Sequence, residues 1–429
     1  MHADQHTPRR RIAVIGSGVA GLTAAWALRE DAQVTLFEAD HRLGGHAHTH
    51  DLDDVSGRLV AVDTGFIVHN LRTYPVLLRL FDELDVPTQE SEMSMSVVCE
   101  GCGLEYAGAR RLAGLFPRVR NTVQPRYLWM LVEILRFQRL ARRELRSGGR
   151  GDTAGATLAQ FVARGRFSTY FVQHFVTPLV ACVWSCAPQT AMRYPARYLF
   201  TFLAHHGMLS VGGSPQWRTV AGGSRSYVDK IAKTLTEVRL NTPVTALRRT
   251  AHGVELRDAD GETHRFDAAV VATHPHQALR LLAEPTAQEQ AVLEAITYSV
   301  NETLLHSDTA VLPGSAGAQA SWNYRMESCA TSAEQVLVSY DMNRLQRLDA
   351  DGRYLVTLGG SAAVDPAQVL DRMVYEHPIY TPSSVAAQER LPALDDDRIV
   401  FAGAYHGWGF HEDGARSGRS AARRLGSTW

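Results

Sequence analysis

Three glycines and one carboxylate carry the most specific chemistry in this sequence. Gly16, Gly18 and Gly21 stand at G-x-G-x-x-G spacing in "RRIAVIGSGVAGLTAAWALRE", and Glu38 follows Gly21 by 17 residues. In such a triplet the first glycine permits a tight turn and the second lets a pyrophosphate approach the backbone. The third lets a helix pack closely on a strand. The phosphates then meet free N–H groups at the helix N-terminus, and an acid at Glu38 can accept hydrogen bonds from a ribose diol. A chain with 34 glycines produces such triplets by chance, so the flanking elements must decide. Residues 12–15 form a short β-branched run suited to a buried strand, and residues 22–28 are Ala/Leu-rich helix formers. Residues 33–37 supply a second strand that ends at Glu38. Strand, turn, helix, strand and acid occur in order, which predicts a nucleotide-binding βαβ unit.

Further segments separate a flavin from a nicotinamide. "RLGGH" brings Gly44, Gly45 and His46 just after Glu38, where a second glycine pair can approach the pyrophosphate again. The strand-like run "EVRLNTPVTALRRT" contributes Val244, and "VVATHP" reads as a strand ending beside the nucleotide. The last segment, "FAGAYHGWGFHEDGARSGRSAARRL", supplies Gly403 and places Gly414 and Ala415 at the start of a final helix. A helix N-terminus directed at a flavin ring stabilises the negative charge of its reduced form. A nicotinamide enzyme has no need of that element. FAD is the expected cofactor.

The remaining composition narrows the setting. At 429 residues the chain is long enough for two or three domains. A net charge of −1 excludes nucleic acid as an expected partner. The five cysteines do not form a disulfide framework, no secretory leader precedes the first strand, and residues 1–10 read as a polar tail. No apolar run is long enough to span a bilayer. The expected localisation is cytoplasmic. Residues 110–207 read mostly as helix, and strand-like runs dominate from 237 to 273 and alternate with loops over 301–360.

Several long segments resemble the flavin-containing amine oxidase superfamily. More narrowly, they are similar to the flavoprotein domain of plant cyclopropane fatty acid synthases and its bacterial stand-alone relatives. The matching stretches are "VDTGFIVHNLRTYPVLLRLFDELDV", "SMSV", "PQWRTVAGGSRSYV", "ASWNY", "HPIYTP" and "FAGAYHGWGFHEDGARSG". The resemblance implies an α/β fold: a Rossmann-like FAD-binding domain of the two-dinucleotide type with an inserted α+β substrate domain. On that template the FAD domain comprises residues 1–95, 215–282 and 391–429. The substrate domain comprises 96–214, mainly helical, and 283–390. It also implies an FAD-dependent oxidoreductase (desaturase, oxidase or isomerase) of fatty acyl chains, with a cyclopropane synthase-like methyltransferase as partner. An amine oxidase of a small polar metabolite, and a non-catalytic flavoprotein partner of the methyltransferase, stay open as alternatives. Two departures weigh against amines. His46 stands where amine oxidases usually carry Arg after the glycine pair. The only lysines, Lys230 and Lys233, lie far in sequence from the strand that would hold a water against the flavin.

Candidate chemistry beyond the cofactor is sparser. An acyl substrate needs an apolar slot and, for some reactions, one base. His306, His406 and His411 are the expected candidates for that base. Tyr405, Trp408 and Phe410 crowd before the last helix and are expected to wall the pocket, with Trp217, Trp322 and Tyr324 as further candidates. No metal is expected. His46, His48 and His50 alternate without a recruited acid, and Cys99 and Cys102 form a single C-x-x-C that lacks a second pair. Cys182 and Cys186 are expected to pack inside the helical region.

Between Arg118 and Arg150 nine arginines interleave with Leu128, Trp129, Val132, Leu135 and Phe137. A helix there with a core face and a solvated basic face is one reading. The other is contact with an anionic lipid surface, peripheral at the inner membrane, from which acyl chains are collected.

Overall fold

A computed structural model describes residues 9–108, 110–147, 155–210, 212–330 and 336–429 of the chain. Residues 1–8 of the polar tail, and Arg150 at the end of the arginine-rich segment, lie outside them. The apolar run Arg10–Ile15 becomes the central strand of a five-stranded parallel sheet. Its neighbours are Ala32–Phe37, with Ile15 beside Phe37, and Ala268–Val271, with Ile15 beside Val271. Glu237–Arg239 and Ile399–Phe401 complete the edges. Strands buried on both faces need continuous apolar runs, which is why these segments lack alternation.

The helix Val19–Leu28 covers one face of this sheet and is buried along its whole length. It is covered in turn by the last helix, His411–Arg424. The two helices touch through glycine. A Cβ on Gly414 would stand 2.5 Å from Val19 Cγ1, and one on Gly418 would stand 2.1 Å from the Ala20 carbonyl oxygen. On the opposite face lies a three-stranded antiparallel sheet built from Val244–Thr250, Gly253–Asp258 and Thr263–Phe266.

A seven-stranded mixed sheet forms the second layer system. Its order is Val369–Pro378, Tyr298–His306, Leu355–Leu358, Val338–Asp341, Trp322–Met326, Met95–Cys99 and Leu104–Gly108. The helices Pro125–Arg146, Thr177–Trp184 and Ala196–His205 share its core. In Pro125–Arg146, Tyr127, Met130, Phe137 and Ala141 point inward at helical spacing. A second apolar stripe points outward: Leu128, Trp129, Val132 and Leu135 are 38%, 56%, 51% and 51% exposed. No helix among the described residues is long and apolar enough to cross a membrane.

Candidate active site

A cavity of about 700 Å³ runs from the C-terminal end of the parallel sheet to the seven-stranded sheet. Its nucleotide end is made where open parallel sheets bind ligands, beyond the carboxyl ends of the strands. The Gly16 N–H donates to the Phe37 carbonyl (2.9 Å), with φ +97°, and a Cβ there would meet the Ala272 carbonyl oxygen at 2.9 Å. Nothing lies within 4 Å of a Cβ position on Gly18, which opens on the cavity. The first bond of the helix is Leu22 N–H to the Gly18 carbonyl (2.9 Å), so the amides ahead of it are available to an anion. Gly21 serves packing, since a Cβ would fall 1.9 Å from the Gly16 carbonyl oxygen.

Glu38 lines the same end, with Val244, Gly45 and Gly403. Gly44 does not reach the cavity; its N–H donates to the Ser17 carbonyl and hydroxyl (both 3.1 Å), which fixes the loop that presents Gly45 and His46. Gly414 and Ala415 also differ from expectation. The last helix begins at His411, so these two sit deeper, buried against the nucleotide-binding helix, and neither lines the cavity. Phe410 and His411, at the helix start, are the residues that do.

The other end is aromatic and apolar: Phe66, Ile67, Val68, Val183, Trp184, Trp322, Tyr340, Leu358 and Phe410. Tyr405 lines the cavity as expected, and its buried hydroxyl has no partner. Trp217, Tyr324 and Trp408 do not line it. Trp217 stacks on His206 at 5.9 Å and donates to Ser214 Oγ (3.1 Å), Tyr324 is buried in the sheet core, and Trp408 turns its ring toward His205. In an irregular loop successive side chains point in unrelated directions, so crowding in sequence does not translate into a shared wall.

The three candidate bases separate completely. His306 is buried in its strand, with Nε2 on Thr357 Oγ1 (2.7 Å) and Nδ1 accepting the Asp308 N–H (3.1 Å), and it does not reach the cavity. His406 is buried beside Tyr405, also off the cavity, and burial lowers it to about 4. Only His411 faces the space. It stacks on Phe66 at 3.6 Å, shares a 2.8 Å hydrogen bond with the Tyr227 hydroxyl, and is lowered to about 3 by burial and then by His69. A ring so depressed is neutral at pH 7 and a weak base.

His46, read from the sequence as a cofactor-site residue, lines the cavity beside polar residues that sequence reasoning did not single out. His46 packs against Tyr375 (4.9 Å) and His377 (5.5 Å), and its buried Nε2 has no partner. Burial and neighbouring histidines lower it well below the usual value, and burial lowers His377 to about 4. His274 stacks on Tyr298 (4.4 Å) and holds Glu376 at 2.6 Å. Of these, His274 sits in "VVATHP" and His377 opens "HPIYTP", segments whose oddity was visible before any role was. His48 and His50 instead lie with their rings tilted against each other at 4.0 Å, engaged by Tyr375, Thr64 and Asp371, and neither lines the cavity.

This geometry is a dinucleotide cradle opening on an aromatic chamber. A family profile described as flavin containing amine oxidoreductase matches residues 19–426. The chain belongs to that family. Among solved structures, a putrescine oxidase variant superposes with a TM-score of 0.69 at 15% identity, over 97% of this chain and 99% of that one. A CLA-producing fatty acid isomerase from P. acnes superposes with a TM-score of 0.68 at 14% identity, over 97% and 99%. In sequence, (S)-6-hydroxynicotine oxidase of Paenarthrobacter nicotinovorans is 23% identical over 286 residues, 65% of this chain and 63% of that protein.

The protein is an FAD-dependent oxidoreductase with the amine oxidase-like fold. The residues present fit the cofactor. The open face of Gly18, the free helix amides, the Glu38 acceptor and the unpartnered buried His46 Nε2 all face one continuous space. A buried polar atom without a partner is costly, and a bound group with polar atoms would relieve it.

Proposed function

We propose that the enzyme acts on fatty acyl chains, as a desaturase, oxidase or isomerase. One observation carries this reading. Among the described residues the charged ones lining the cavity are Glu38, Arg280 and Glu376, with Glu376 already bonded to His274 (2.6 Å), and most of the remaining lining is apolar or aromatic. An ammonium drawn into the aromatic chamber would lose its hydration without gaining a counter-ion. A hydrocarbon chain would lose only unfavourable contact with water.

Bound flavin supplies hydride acceptance at its ring, the hard step in oxidising an alkyl C–H. The chain's own residues do the rest. Phe66, Phe410, Trp322 and Tyr340 hold the chain and exclude water. Neutral His46, His377 and His411 offer hydrogen bonds without adding positive charge. Lys230 donates to the Leu84 and Asp85 carbonyls (2.7 and 2.8 Å), and neither it nor Lys233 is among the residues that line the cavity. The fatty acid isomerase with the same fold supports an acyl substrate, as does the resemblance to the flavoprotein domain of cyclopropane fatty acid synthases, whose partner would be a methyltransferase.

The outward stripe Leu128, Trp129, Val132 and Leu135 supports anionic phospholipid as the source of substrate. Exposed Arg126, Arg139, Arg142, Arg143 and Arg146 lie on the same helix, and apolar residues beside cations suit the inner membrane surface. Incubating the holoenzyme with free fatty acids, phospholipid vesicles or small amines, followed by mass spectrometry of acyl products and flavin absorbance, tests the reading. Altered acyl chains with inert amines are expected. Rapid flavin bleaching by an amine, with acyl chains untouched, would replace this reading by amine oxidation.

A further inference from the structure

We infer that Cys99, Cys102, His174 and Cys329 form a binding site for a single tetrahedral zinc ion, remote from the flavin cavity. Their four ligand atoms all lie within 4.8 Å of one another. The C-x-x-C pair looks incomplete in sequence because its other two ligands arrive from 72 and 227 residues further along the chain.

The fold explains the convergence. Cys99 ends the strand Met95–Cys99, and Cys102 sits at the tip of the hairpin that returns as Leu104–Gly108. Trp322–Met326 runs parallel to the first of these strands, with Met326 beside Cys99, and the Glu100 N–H donates to the Met326 carbonyl (2.9 Å). The chain then folds Cys329 over the hairpin tip. Gly101 allows this approach, since a Cβ there would stand 2.9 Å from Ser328 Cα. His174 comes from a π-helical turn, Val172–Val176, where one extra residue per turn rotates a side chain inward.

Distances match one ion. Cys99 Sγ lies 3.7 Å from Cys329 Sγ, and Cys102 Sγ lies 3.6 Å from His174 Nε2. A tetrahedron with Zn–S of about 2.3 Å and Zn–N of about 2.0–2.1 Å has edges of roughly 3.8 Å (S to S) and roughly 3.5 Å (S to N). An iron–sulfur cluster would spread its ligands over more than one iron, wider than this space. Three sulfurs and one imidazole nitrogen are a structural zinc set.

The surroundings are those of a ligand shell. His174 Nδ1 faces the Tyr170 carbonyl at 2.9 Å, so the proton sits on Nδ1 and the Nε2 lone pair points at the cysteines. Backbone N–H groups of Cys102 and Leu104 point at the sulfurs of Cys99 and Cys102. Arg126 acts on Cys329, and the Arg120 guanidinium lies against Gly103 at the hairpin tip. Three thiolates around a dication leave one net negative charge, which these two arginines offset.

The ion would tie the hairpin, the segment after Met326 and the π-helical turn into one unit. That turn runs directly into Thr177–Trp184, which gives the cavity Cys182, Val183 and Trp184. The role is structural: it sets the chamber wall from behind.

Reduced holoenzyme equilibrated with ZnCl2 and washed with a weak chelator should hold one zinc per chain by elemental mass spectrometry. Cobalt(II) in its place should give tetrahedral d–d bands with sulfur-to-metal charge transfer. Half-exposed Cys102 and Cys329 should resist alkylation until a strong chelator is added. Cys102→Ser and His174→Ala should each lose the metal at least tenfold more readily while keeping the flavin spectrum. The cobalt spectrum and alkylation need only the unsubstituted protein, so misfolding of a variant leaves the test intact. No stoichiometric metal on the reduced protein, or a native disulfide among these cysteines with no metal uptake after reduction, would overturn the proposal.

Discussion

Ser17 holds Glu38 by two hydrogen bonds to a single carboxylate oxygen: its N–H at 2.8 Å and its hydroxyl at 2.5 Å reach Oε2, while Oε1 accepts the Asp40 N–H at 2.9 Å. A carboxylate offers about four acceptor sites, so one on Oε1 stays open to a ribose hydroxyl. The acid that lines the nucleotide end of the cavity is thus also the post that ties two loops. Glu38→Ala should weaken FAD binding at least tenfold, since hydrogen bonds to a charged group contribute about 1.5–3 kcal/mol each. Glu38→Gln should not restore it, because one of its ends would put N–H groups against an N–H donor. Fluorescence titration of the apoprotein with FAD measures both, and unchanged affinity in Glu38→Ala would dismiss the assignment.

A second prediction concerns the helix pair over the sheet. Adding one methyl at Gly418 drives it into the backbone of Ala20, at 2.1 Å, where nothing can yield without moving the helix. Gly418→Ala should cost about 1–3 kcal/mol and lower FAD occupancy by shifting the N-terminus of Val19–Leu28. Thermal unfolding with and without added FAD reports both effects; a variant as stable and as fully loaded as the parent would refute it.

Acid stability has a determinate sign. Burial lowers His48 and His411 to about 3, and His69, His206, His306, His377 and His406 to about 4. A histidine depressed in the folded state contributes stability that is full above its unfolded value of about 6.5 and is lost as pH falls toward the folded value. Burial raises Asp63, Asp395 and Asp413 to about 6 and Glu412 to about 7, which works in the opposite direction over about pH 4 to 7. The histidines outnumber these acids. The unfolding temperature should therefore fall as pH drops from 7 to 5. A calorimetric series showing a rise would mean the acids prevail.

Lipid contact is testable on the outward stripe. Arg136 is a poor target, since it bonds to the Gly165 carbonyl and lies over the Phe167 ring at 4.7 Å, and Arg126 acts on Cys329, so the exposed cations to replace are Arg139, Arg142, Arg143 and Arg146. At about 1 kcal/mol per basic residue near an anionic surface, replacing these four by Gln should reduce binding to anionic vesicles by two or more orders of magnitude. Trp129→Ala should weaken it separately. Both should leave the flavin spectrum unchanged, and binding should fall as salt rises. Co-sedimentation that is equal for neutral and anionic vesicles would dismiss the role.

What could be read in advance followed the range of the interactions involved. The nucleotide cradle was legible because its strand, glycine turn, helix and acid fall within one short stretch of sequence, with Gly21 packed against the Gly16 carbonyl. His306 and His406 were misplaced because a histidine's partner is set by tertiary packing: Thr357 lies across a strand pair from His306. The C-x-x-C was seen and left unpaired for the same reason, since only the parallel register of Met326 with Cys99 brings Cys329 to it. His274 and His377 were quoted in motifs but given no role, and Tyr375 was not noticed, because which face of a strand end looks into a cavity depends on a second sheet.

The parallel sheet draws its strands from residues 10–15, 32–37, 237–239, 268–271 and 399–401, and the first helix is roofed by the last. On the ribosome, the glycine loop therefore emerges long before the pieces that close around it. Pairings so distant in sequence form slowly. Until the closing helix arrives, Val19–Leu28, buried along its whole length in the finished fold, has an uncovered flank. Flavin loading should accordingly wait for residues 411–424, and a chain stalled before them should expose the flank of Val19–Leu28 that invites aggregation.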